Sequence, residues 1–136
     1  MYPNRKQPFS LSFLVLVTFL NVSTLHAQDD DLCGVQVSNV NTSVVLGNLV
    51  GYTVKLQNTK QQTIDHLIWK VAFTDNSGTV IETTQGVFNS TNLIAPIQPR
   101  NSKRFIRTVP KIKGASRAKV TLTRVHTIAG ETCTSD

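Results

Sequence analysis

The sequence predicts an all-β protein, an antiparallel sandwich of six or seven short strands preceded by a signal peptide. Three observations carry this: apolar residues alternate with polar ones at period two, turn-forming residues recur at regular spacing, and no segment shows a helical period. Strands with one apolar face need a second apolar layer to meet, and two facing sheets supply it.

Val35 to Val40 is the first expected strand, broken at Asn41-Thr42-Ser43, with Val44-Val45-Leu46 able to resume pairing before a Gly47-Asn48 turn. In Val50 to Gln57, Val50, Tyr52, Val54 and Leu56 share one face and Gly51, Thr53, Lys55 and Gln57 the other. Ile64 to Thr74 places Leu67, Trp69, Val71 and Phe73 together, so Trp69 is expected in the core. Asp75-Asn76-Ser77-Gly78 is a turn, and Val80 to Thr84 returns as a hairpin. Pro96 and Pro99 exclude a central strand between Gly86 and Pro99, leaving an edge segment or crossing loop. Ser102 to Val109, ended by Pro110, and Lys119 to Thr127 complete the set, with a turn at Gly114 to Ser116.

Arg5 and Lys6, the apolar run Leu11 to Leu20 and the small residue Ala27 mark residues 1–27 as a cleavable signal peptide. The run is too short for a membrane span, which takes about 20 apolar residues. Residues 28–136 are then one domain, secreted or periplasmic, with no transmembrane segment. Cleavage removes two of the 14 Lys and Arg residues, leaving 12 against 8 acidic ones, a net charge of +4. In an oxidising compartment Cys33 and Cys133 most simply pair with each other. Asn41-Thr42-Ser43 and Asn89-Ser90-Thr91 are glycosylation sequons expected in loops.

From Tyr52 to Val109 the chain resembles small immunoglobulin-like and FxLYD-type domains of exported proteins. The resemblance rests on Tyr52 to Thr59, on Leu67 to Asp75 with Gly78, and on Ile97-Gln98-Pro99-Arg100-Asn101-Ser102 with Phe105. It implies an immunoglobulin-like sandwich and no reaction. The chain departs from the pattern where Pro-Gly is usual and Pro99-Arg100 stands.

No enzyme is expected. Asp65 and His66 are adjacent, and neighbours on a strand point to opposite faces. His66 and His126 read as strand-surface residues, the carboxylates Asp65, Asp75, Glu82 and Glu131 show no paired spacing, and no cofactor or metal-ligand set is evident. The most suggestive feature is cationic: no acidic residue lies between Pro96 and Gly130. Arg104, Lys111, Lys113, Arg117, Lys119 and Arg124 form the candidate binding surface of a monomeric, non-enzymatic module with an acidic macromolecular partner. Lysines guarding a sheet edge are the bland alternative. A competing reading is a secreted hydrolase inhibitor presenting the loop from Phe88 to Arg100.

Overall fold

The computed structural model describes residues 31–136. The expected signal peptide, residues 1–27, lies outside them. Eight strands follow in order: β1 (Asp31–Leu32), β2 (Val35–Val45), β3 (Asn48–Asn58), β4 (Ile64–Thr74), β5 (Val80–Asn89), β6 (Ser102–Lys113), β7 (Arg117–Thr127) and β8 (Thr132–Thr134). Every pairing is antiparallel, giving sheets ordered β1-β2-β3-β6 and β5-β4-β7-β8. Six long strands coincide with the expected ones; β1 and β8, two and three residues long, add to the expected count.

Inward residues of both sheets merge into one core, with Leu56, Trp69, Phe73, Val120 and Leu122 fully buried. Trp69 lies opposite Gly86 of β5, where a Cβ would sit 2.0 Å from the indole ring. Glycine is what lets so large a side chain lie flat over the neighbouring strand. The indole Nε1 donates to the Tyr52 hydroxyl across the two sheets, 3.2 Å away, satisfying a buried donor.

The two long rims of the sandwich are closed differently. On one, a disulfide joins Cys33, in the β1–β2 turn, to Cys133 of β8, with Cα atoms 6.2 Å apart and a sequence separation of 100. On the other, edge strand β6 faces β5, and cations close the seam. The Arg107 guanidinium lies 5.8 Å from the Trp69 ring and 5.6 Å from that of Phe105, and the Lys103 ammonium sits 4.7 Å from the Phe88 ring. Each places its charge over an aromatic face while its aliphatic stem covers apolar surface.

Several local expectations are corrected, and each correction traces to pairing. β2 runs without a break through Asn41-Thr42-Ser43, pairing with β3, and the Thr42 hydroxyl donates to the Ser116 carbonyl at 2.9 Å. Asn41 is therefore within a strand, and Asn89 is the last residue of β5, not a loop residue. A register shift between Leu49 and Gly51 reverses the expected alternation, so Leu49 is buried where Val50 was expected to be. β6 continues through Pro110 because an edge strand tolerates a missing donor. Turns at Cys33-Gly34 and Leu46-Gly47 carry positive φ at both residues, the type I′ geometry that suits two-residue hairpins.

Candidate functional site: the outer face of the second sheet

Sheet membership divides the basic run. Arg104, Lys111 and Lys113 lie on β6, in the first sheet, and Arg117, Lys119 and Arg124 lie on β7, in the second. The outward faces of two packed sheets look in opposite directions, so these six residues form two groups. On the first sheet Arg104 stands directly opposite Lys55 of β3. On the second, Arg117, Lys119 and Arg124 project outward, because Val120, Leu122 and Val125 point into the core.

Lys70 joins the second group. It is exposed on β4, flanked in register by Gln85 of β5 and Thr121 of β7, while Lys119 and Arg124 pair with the neighbouring outward residues Ala72 and Ile68. Lys70 and Arg124 line an open cleft of about 620 Å³ together with Ile68, Thr83, Gln85 and Thr123. The floor is a pleated sheet, and the walls are hydroxyl, amide and cationic groups able to donate to oxygen-rich ligands. Among the described residues the carboxylates within ion-pair distance of a basic side chain are Glu131, on Lys60, and Asp65, on His126, so neither neutralises these cations. The sequence hid Lys70 because it stands alone among apolar neighbours on β4; only strand pairing brings it beside Arg124.

Lys103 and Arg107, from the same basic run, are occupied elsewhere. Besides its ring contacts, Lys103 donates to the Ala95 carbonyl at 2.8 Å, and Arg107 to that of Val87 at 3.4 Å. The loop between β5 and β6 is anchored at its base by paired Ile64 and Ile97 backbones and by Asn58. Buried Asn58 donates to the carbonyls of Gln62, Ile97 and Gln98 and accepts from the Lys60 amide. At the loop's Thr91–Ile94 turn, Leu93 is 96% exposed. Arg100 adopts φ of +67° after Pro99, with the Asn101 amide donating to Gln98, so the backbone makes the turn usual for Pro-Gly while carrying arginine.

Farther along the same outer face, a bulge between Ile64 and His66 turns both Asp65 and His66 outward, correcting the strict alternation expected there. Asp65 reaches across to β7, its Oδ1 accepting from His126 Nδ1 at 2.7 Å. His66 lies directly opposite His126 and donates through its own Nδ1 to Asn89 Oδ1. Among the described residues a trio of potential metal ligands also converges at Cys33, Glu131 and Cys133, but both sulfurs belong to the disulfide.

No family model, curated protein or solved structure matches this chain. Among the described residues no helix is long and apolar enough to cross a membrane.

Proposed function

We propose that this chain is an exported, monomeric, immunoglobulin-like module that binds an acidic macromolecular partner without catalysis, on the outer face of the β5-β4-β7-β8 sheet. The observation that carries this is that Lys70 and Arg124, from neighbouring strands, both line one cleft. Cations on β6 have a structural use, because positive charge on an edge strand deters sheet-to-sheet aggregation. That use does not extend to Lys70, which has a partner strand on each side, or to Arg124, paired with both Ile68 and Thr134. Arg117 and Lys119 extend the positive field along β7. A disulfide bracketing the domain supports an oxidising compartment. Strand order supports the immunoglobulin-like assignment, since β3 pairs with β6 and β4 with β7 across the hairpins.

Heparin serves as the polyanion probe. Retention is expected to fall steeply with salt and to drop in a Lys70→Gln/Arg124→Gln variant, while Arg104→Gln/Lys111→Gln elutes nearly as the parent does. Equal losses in the two variants would show that net charge, and no particular face, governs binding.

The exposure of Leu93 favours a second reading, a protease inhibitor in which the 88–100 segment, whose first two residues belong to β5, presents Leu93 from its loop on a fixed base. It predicts stoichiometric inhibition abolished by Leu93→Asp, and inhibition indifferent to that change would remove it.

A further inference from the structure

We propose that His66 and His126 form a two-histidine binding site for a late first-row divalent cation, with Asp65 and Asn89 as positioning residues. The first support is register. The two histidines are directly opposed on adjacent antiparallel strands and face outward together. Directly opposed residues hold their Cβ atoms about 4.5–5.5 Å apart, a spacing two imidazoles can bridge through one ion.

The second support is how each ring is held. Asp65 Oδ1 accepts from Nδ1 of His126, and Asn89 Oδ1 accepts from Nδ1 of His66. With Nδ1 donating, Nε2 is the ring nitrogen left to take a metal ion. Both rings therefore offer Nε2 as a ligand atom, each oriented by an oxygen behind it. This is the outer-shell arrangement found behind metal-bound histidines, where a carboxylate or carbonyl holds the far nitrogen. The β4 bulge is what brings it about; with regular alternation Asp65 and His66 would face opposite sides of the sheet, and one of the two would be lost from this face.

Two imidazoles and no thiolate suit Zn²⁺, Cu²⁺ or Ni²⁺ and give no purchase on Mg²⁺ or Ca²⁺, which require oxygen ligands. Two protein ligands leave the other coordination positions to water or to an oxygen donor on a partner. The Lys70–Arg124 cleft adjoins this row, as Arg124 pairs with Ile68, two residues from His66.

The test is calorimetric titration of Zn²⁺ into the disulfide-bonded chain without an affinity tag, paired with imidazole ¹⁵N shifts. One saturable site per chain is expected, with Zn²⁺ moving the Nε2 resonances of both rings. His66→Ala and His126→Ala should each weaken binding at least tenfold, and Asp65→Asn by about 10–100-fold at unchanged near-ultraviolet circular dichroism. Mg²⁺ should not compete. The proposal is overturned if no saturable binding is found, if the double histidine variant binds as the parent does, or if Zn²⁺ moves the resonances of neither His66 nor His126. The shift measurement uses the parent chain, so it decides the matter even if a variant fails to fold.

Discussion

The two rims of the sandwich solve one problem with different chemistry. Where β1 and β2 lie over β7 and β8, a covalent bond closes the seam; where β6 lies over β5, Lys103 and Arg107 cover the aromatic cluster of Trp69, Phe88 and Phe105. The disulfide acts mainly by restricting the unfolded chain, whereas the cations act by contact in the folded one. Charge in this protein thus has two uses, since part of the basic run seals a rim and part is left free on an outer face.

The largest test of that contrast is on the covalent rim. Cys33→Ser/Cys133→Ser should lose up to about 4.7 kcal/mol of unfolding free energy, the chain-entropy value for a loop of about 100 residues, measurable by urea denaturation. A loss no larger than that at the cationic rim would erase the distinction. On the opposite rim, Gly86→Val should cost about 3 kcal/mol by driving a side chain into the Trp69 ring, with matching changes in tryptophan fluorescence. Asn58→Ala, which unpins the loop beside that rim, should cost about 1–3 kcal/mol by orphaning its buried partners. Arg107→Met keeps the stem and removes the charge, so it should cost only about 1 kcal/mol; a loss rivalling the disulfide's would mean that the cation carries the rim.

The smallest effects lie away from both rims and serve as references. Hydrogen bonds from the Ser77 hydroxyl and the Thr79 amide hold the Asp75 carboxyl below its ordinary range. A carboxylate whose pKa is lower in the folded state contributes stability that is present above the unfolded pKa, near 3.9, and lost as pH falls through the folded one. Asp75→Ala should therefore flatten the acid limb of the stability profile, seen as a smaller Tm difference between neutral and acidic buffer. A variant as acid-sensitive as the parent would show that this turn does not contribute to the limb. Arg100→Gly should stabilise slightly, by up to about 1 kcal/mol, because glycine adopts positive φ without a clash.

Much of the framework was legible in the sequence, for reasons visible in particular residues. Leu67, Trp69, Val71 and Phe73 alternate cleanly, and all four are buried as expected. Tyr52, Val54 and Leu56 behave likewise, while Val50 fails because a register shift intervenes. The site was far less legible. Lys111 and Arg117 are six residues apart and belong to different sheets, whereas Lys70 and Arg124 are 54 apart and line one cleft. Asp65 and His126 were each visible, but their contact depends on a bulge that no local pattern announced.

The sequence by itself determined where the six long strands lie, which faces of most of them are apolar, and that two distant cysteines are available to pair. These follow from period two, from turn residues and from composition, all of them local properties. Only the tertiary structure decided which sheet each strand joins, where bulges reverse the alternation, and hence which cations and histidines become neighbours. Pairing between strands is set by the fit of the whole core, and a one-residue shift in register moves every following side chain to the other face.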